Sequence, residues 1–289
     1  NMNKYILEFE KPLKDIEEKI ESLRKTAINT GVDVSDGILS LQEEMRQQQK
    51  NIYENLTRWQ RVQLARHPNR PHSTDFISGM CDYFFEIHGD RKYADDKSVI
   101  CGIGTIDNLK AVFIGQEKGK GTKEKVFRNF GMMRPEGYRK ALRVMKLAEK
   151  FSLPIISFID TPGAYPGIGA EERGQAEAIA ANLLYMSNIT VPTLSIVIGE
   201  GASGGALGIG LTDKIICFEN TWYSVISPEG CASILFRDTS LAEKAADSMK
   251  VTARDLEEFN IADHVILEPL GGIHLDYEYA FKESRDVIK

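Results

Sequence analysis

At 289 residues, 42% hydrophobic and 27% charged, the chain is long enough for one large core plus an appendage, and its composition excludes disorder as its main state. A net charge of −6 gives no chain-wide field for nucleic acid. No apolar run approaches the ~18 residues of a membrane span, and Asn1 to Tyr5 lack the basic and apolar regions of a signal peptide, so a cytoplasmic protein without membrane contact is expected.

Asn1 ahead of Met2 reads as foreign to the natural start and takes no part in the argument. After Pro12, the spacing of Leu13, Ile16, Ile20 and Leu23 predicts a helix. The break at Thr30-Gly31-Val32-Asp33 leads to a second row, Ile38, Leu41, Met45, Ile52 and Leu56, with Ser40 and Glu43 at capping-box spacing. These two helices should pair as an antiparallel hairpin, a scaffold element leaning on the main domain or on a partner. The turn-rich segment His67 to Pro71 marks a boundary, giving a helical arm over 1–66 and a main domain over 67–289.

Val99 to Ile106 and Ala111 to Gly115 read as a β-hairpin, after which helix and strand alternate. The pattern predicts a helix over Pro135 to Phe151, a buried strand over Pro154 to Ile159, a helix over Gln175 to Met186 and a buried strand over Thr193 to Ile198. A short helix from about Ala202, strands at Lys214 to Phe218 and Tyr223 to Ile226, and helices at Pro228 to Phe236 and Leu241 to Met249 complete the order. This is an α/β chain without a fixed-period repeat, and the pattern leaves open whether its sheet is doubly wound or a spiral of ββα turns.

The segment Gly199-Glu200-Gly201-Ala202-Ser203-Gly204-Gly205-Ala206 joins a buried strand to a helix start, where free N–H groups and the helix dipole can hold a negatively charged oxygen. Tight helix packing is the competing reason for so many glycines. A phosphate loop is excluded, because Ala206-Leu207 stand where a lysine and a hydroxyl residue are needed. Gly201-Ala202-Ser203-Gly204-Gly205 does fit a nucleophile elbow, but only His264 and His274 follow it in the chain. An oxyanion hole of backbone amides needs neither nucleophile nor histidine and is the reading preferred.

A second special turn, Asp160-Thr161-Pro162-Gly163-Ala164-Tyr165, follows the preceding strand, so both turns should face one crevice. Asp160 reads as a turn cap, and Glu171, Glu172 and Arg173 as the opening of a helix. The lysines at 118, 120, 123 and 125, with Arg128, Arg134, Arg139 and Lys140, form the one basic concentration, either a solvated loop or a surface for an anion. Cys81, Cys101, Cys217 and Cys231 stand singly, read as buried thiols in a reducing compartment, and predict no metal site in this chain.

At these residues the sequence resembles the carboxyltransferase alpha subunits of bacterial acetyl-CoA carboxylase. The segments are Arg128 to Met132, Pro135 to Arg143, Asp160 to Gly167, Ala170 to Gln175, Ile198 to Gly210, Tyr223 to Leu235 and Glu268 to Gly272. The resemblance implies a crotonase-type ββα spiral with the N-terminal helical hairpin as an arm. It implies transfer of a carboxyl group from carboxybiotin, carried by a biotin carboxyl carrier protein and made by biotin carboxylase, to acetyl-CoA, giving malonyl-CoA for fatty-acid synthesis. It also implies a zinc-bearing beta subunit in an α2β2 assembly, with the active site between the two subunits.

Carried over by motif, Gly204, Gly205 and Ala206 supply the oxyanion amides, and Pro162, Gly163, Ala164, Tyr165 and Gly201 line the pocket. The chain departs from the family's usual glycine at Ala202, histidine at Arg134 and tryptophan at Phe236; at Ala202 the alanine would disfavour a left-handed backbone. A stand-alone enoyl-CoA hydratase-like enzyme is the alternative, and it would need site glutamates, for which Glu171, Glu172 and Glu200 are the candidates.

Overall fold

The computed structural model describes residues 5–289, so the reading of Asn1 lies outside the described residues. Helices α1 (Lys11–Thr30) and α2 (Ser35–Glu54) form the expected antiparallel hairpin. Pro12 sits in the first turn of α1, and Gly31, at φ 69°, closes it by donating to Ala27 O at 2.9 Å. Helix α2 begins five residues before the expected capping box. Asp33 Oδ1 accepts the Ser35 N–H at 2.9 Å and starts the helix there, leaving Ser40 in its interior.

Helix α3 (Arg58–Ala65) is capped by Thr57 and Gln60 in a reciprocal box. Its Val62 and Ala65 pack on Ala202, Trp222 and Val251, which fastens the end of the arm segment to the sheet. Past the His67 to Pro71 turn come α4 (Ser73–Met80) and β1 (Tyr83–Glu86), neither of which the pattern predicted. Strands β2 (Val99–Ile106) and β3 (Leu109–Gln116) are the predicted hairpin, antiparallel from Val99 opposite Gln116 to Ile106 opposite Leu109. The basic stretch folds as α5 (Gly121–Phe127), and α6 (Pro135–Lys150) follows.

Strand β4 (Ile155–Thr161) is buried at every residue, as a continuous apolar run in a two-sided sheet must be. After α7 (Ile168–Glu172) and α8 (Gln175–Met186) comes β5 (Thr193–Ala202), then α9 (Ser203–Gly210), β6 (Lys214–Phe218) and β7 (Trp222–Ser224). Helices α10 (Pro228–Phe236), α11 (Ala242–Met249) and α12 (Ala253–Glu258), strand β8 (His264–Ile266) and helix α13 (Tyr277–Ile288) complete the chain. The last two elements and α12 escaped the pattern; β8 is only three residues long.

The sheet runs β1-β2-β3-β4-β5-β6-β8, antiparallel at β1 to β3 and parallel from β3 onward. On one face Phe76 of α4 and Phe281 of α13 pack on Phe113, Phe158 and Phe218; on the other, Tyr138, Val144 and Met145 of α6 meet Ala178 and Met186 of α8. Strand β5 serves two neighbours. Leu194 to Val197 pair with β6, whereas Glu200, Gly201 and Ala202 pair with β7, and the β4 register shifts between Ile159 and Thr161. The end of β5 thus keeps β4 on one side, with Thr161 opposite Gly201, and exchanges β6 for β7 on the other. Both glycine turns therefore emerge at one end.

Candidate active site

At the strand-to-helix turn, Ala202 is extended (φ −110°, ψ 128°), and Ser203 takes the left-handed conformation (φ 56°). The conformational cost expected at Ala202 thus falls one residue later, and the alanine is accommodated without strain. No side chain caps α9. By helix geometry the amides of Ser203, Gly204 and Gly205 have no intrahelical acceptor, while Ala206 is the first helical residue whose N–H is directed at the Ala202 carbonyl.

The two turns meet at Gly205. A Cβ added there would lie 2.5 Å from the Ala164 N and would also strike the Gly163 carbonyl carbon, so only glycine permits this approach. Gly163 itself sits at φ 144° and donates to Thr161 Oγ1 at 3.1 Å; the Thr161 hydroxyl donates in turn to Gly131 O at 2.7 Å. Tyr165 is half-buried beneath Arg134, whose guanidinium lies 4.9 Å from the ring centroid, and its N–H donates to Met133 O at 3.0 Å. Pro162 is exposed beside them. Gly201 lies within β5, where a Cβ would strike the Tyr223 ring of β7. Ser203 is exposed.

Beneath the turns lies a buried set of charges. Lys118 Nζ is 2.6 Å from Asp160 Oδ1 and 2.5 Å from Glu200 Oε2. The other Glu200 oxygen accepts from Arg66 Nε at 2.6 Å, and Arg66 reaches Glu229 at 2.5 Å while lying between the rings of Trp59 and Trp222. His72 Nδ1 approaches Asp160 Oδ2 at 3.2 Å, and Asp160 Oδ1 accepts the Glu200 N–H at 3.0 Å. Asp160 is therefore an internal anion tying β4 to β5, and the turn-cap reading is corrected. A Cβ at Gly199 would occupy the space of its carboxylate.

Burial opposes ionisation of Asp160, but the Lys118 charge and the His72 hydrogen bond outweigh it and hold the carboxyl well below its ordinary value. Burial likewise works against the Lys118 ammonium, yet Asp160 and Glu200 raise its pKa. Glu229 is desolvated and still lowered, by Arg66.

The basic stretch is largely neutralised from within. Lys118 is spent on this network, Lys120 on Asp75 at 2.7 Å, Arg139 on Asp90 at 2.8 Å, and buried Lys140 on Asp95 at 2.7 Å. Cys101, Cys217 and Cys231 are buried and Cys81 is half-buried; burial pushes the Cys101 and Cys217 thiols up to about 12. Among the described residues, no group of three or more His, Cys, Asp or Glu could hold a metal ion.

Sequence reasoning missed Arg66, His72, Gln116 and Lys118. His72, which reaches Asp160, precedes the glycine run in the chain, whereas the sequence drew attention only to the histidines that follow it. Its only signal was a lone imidazole after Pro71, and Lys118 was hidden in a run of surface lysines.

Solved structures share the fold. A transcarboxylase 12S with methylmalonyl-coenzyme A bound superposes with a TM-score of 0.61 at 17% identity, over 77% of this chain and 43% of that one. The geranyl-CoA carboxylase beta subunit of P. aeruginosa gives 0.59 at 17%, over 81% and 44%. The fold is the crotonase-type α/β spiral of carboxyltransferases.

The family model described as acetyl co-enzyme A carboxylase carboxyltransferase-like matches residues 6–289. Proteins named acetyl-coenzyme A carboxylase carboxyl transferase subunit alpha share 51% identity in Flavobacterium johnsoniae, over 98% of this chain and 89% of the relative, and 55% in Staphylococcus saprophyticus, over 94% and 87%. The relative in Xanthomonas oryzae pv. oryzae is 53% identical over 99% and 90%. The chain belongs to this carboxyltransferase family.

Proposed function

We propose that this chain is the alpha half of an acetyl-CoA carboxylase carboxyltransferase, moving the carboxyl group of carboxybiotin to acetyl-CoA and yielding malonyl-CoA for fatty-acid synthesis. A beta subunit that carries the zinc completes the site in a cytoplasmic α2β2 assembly, and a biotin carboxyl carrier protein delivers the group that biotin carboxylase loads. Domain 67–289 carries the site and 1–66 the arm. The single observation that supports this reading most is the packing of Gly205 on Gly163 and Ala164 in a chain of this family, which makes two amide-bearing turns one surface.

The amides of Gly204 and Gly205 face the oxygen that becomes negative, whereas the Ala206 N–H expected beside them is turned into the helix, and Pro162 to Tyr165 with Gly201 shape the approach. Bound carboxybiotin supplies the carboxyl group and, once this has left, a basic ureido group. The chain's own contribution is orientation and charge stabilisation. Its candidate glutamates are not set up as bases at the turns: both Glu200 oxygens are engaged by Arg66 and Lys118, and Glu171 and Glu172 are exposed at the end of α7. That weighs against hydratase chemistry, which needs site glutamates to activate water.

The test is malonyl-CoA formation from carboxybiotin and acetyl-CoA, with and without a purified beta subunit. Turnover only in the mixture is expected. Full activity of this chain alone would sink the half-site reading, and none in the mixture would favour a non-catalytic role.

A further inference from the structure

Gln116 closes β3 and is fully buried, yet its side chain is used at both ends. The amide oxygen accepts the Asp160 N–H at 3.1 Å, at the end of β4. Its nitrogen donates to Gly205 O at 2.7 Å and lies 3.5 Å from Met133 Sδ. The orientation of the amide is fixed by chemistry, since a backbone N–H must be met by an acceptor and a carbonyl by a donor. The Tyr138 hydroxyl, 3.4 Å away, is the second donor to Gly205 O.

The Gly205 carbonyl belongs to the same rigid peptide plane as the Ala206 N–H. Holding that oxygen inward fixes the direction of the plane at the start of α9. The same side chain fixes the Ile159–Asp160 peptide of β4, just ahead of the Thr161 to Ala164 turn. We infer that Gln116 is a positioning residue, whose one amide sets the α9 turn and the β4 turn at the separation and orientation their backbone groups need. It touches no substrate. The inference rests on the proposed site for its effect on turnover, but not for its structural part.

Two variants test it in the assembled enzyme, each examined by crystallography and by kinetics. Gln116→Leu removes both bonds; the Gly205 peptide should rotate or shift against Gly163, and kcat should fall roughly 10- to 100-fold with little change in the KM for acetyl-CoA. Gln116→Glu keeps the shape. Protonated, its O–H can donate to Gly205 O; ionised, it sets two acceptors face to face. Its kcat should therefore rise as pH falls, through a titration that the parent enzyme lacks, with the Gly205 peptide in its parent position at the low-pH end only.

Both turns unmoved in either variant, with parent kcat across pH, would overturn the inference. A displaced turn with full kcat would leave the positioning role standing and overturn the site reading instead. Should Gln116→Leu fail to assemble, the pH-dependent structures of Gln116→Glu decide alone.

Discussion

The Lys118 ammonium lies 2.6 Å from Asp160 Oδ1, where neither side chain has more than a tenth or so of its surface exposed. A buried pair of this kind is weak evidence for net stability, but breaking it leaves a carboxylate in a site that cannot solvate it. Lys118→Met should cost about 3–5 kcal/mol, read from urea denaturation. The pH dependence separates this from a simple packing loss. In the parent, the folded Asp160 pKa is depressed, so its contribution is present above the ordinary carboxylate value of ~4 and is lost as pH falls through the folded value. In the variant the desolvated carboxyls should be raised instead, so its stability deficit should shrink on acidification from about pH 8 to 5. A deficit that stays constant over that range would refute the electrostatic account.

Gly204 and Gly205 are adjacent and should respond differently to the same methyl group. At Gly204 a Cβ meets only Ile179, at 3.6 Å, an ordinary contact. At Gly205 it meets backbone of the opposing turn at 2.5 Å, and backbone cannot yield as a side chain does. Gly205→Ala should therefore lower stability by about 1–3 kcal/mol and abolish most turnover by parting the two turns. Gly204→Ala should change stability by less than about 1 kcal/mol, because alanine suits a helix. Thermal melts with malonyl-CoA assays on both variants make the comparison, and equal stability losses would contradict the packing.

Ser203 pays a left-handed backbone, a conformation worth about 1 kcal/mol against a residue bearing a Cβ. Ser203→Ala keeps that cost and removes only the hydroxyl. Activity within about threefold of the parent is expected, whereas a nucleophile's loss would cost on the order of 10⁴-fold or more. Single-turnover carboxyl transfer is the measurement, since it excludes product release from the comparison.

What the sequence disclosed follows from how local each cause is. Strand β4 and the β2–β3 hairpin announce themselves by short apolar runs, and both glycine turns by their composition, because the determinants lie within ten residues. Helix α5 did not, since Lys123 and Lys125 look the same in a solvated loop as on an exposed helix face. Lys118 meets Glu200 across 82 positions in the chain, and Gln116 meets Gly205 across 89. No pattern in a single sequence pairs such residues. A lysine reads as solvent-facing until a fold puts two carboxylates beside it. The left-handed residue was misplaced by one position for a related reason: β7 pairs with β5 as far as Ala202 and so holds that residue extended.

The boundary turn at His67 to Pro71 is held by a second buried ion pair, and the final prediction concerns it. Arg70 donates through Nε to Ile198 O at 2.6 Å and through Nη2 to Glu268 Oε1 at 2.5 Å; Glu268 also accepts from the Asn220 and Ile273 N–H groups at 3.0 and 3.2 Å. Both side chains are essentially sealed from water. Burial alone would raise the Glu268 pKa, and Arg70 reverses that. A lysine cannot reproduce the fork that spans a carbonyl and a carboxylate, so Arg70→Lys should cost about 2–3 kcal/mol. Arg70→Met should cost about 3–5 kcal/mol, because it strands the Glu268 charge. Adding Glu268→Gln to Arg70→Met removes the stranded charge. The double variant should then be more stable than the sum of the single losses by on the order of 1–3 kcal/mol, measured as a double-mutant cycle in urea. Strict additivity would mean that Arg70 acts through the Ile198 carbonyl alone, holding the strand that ends in the glycine turn without help from Glu268.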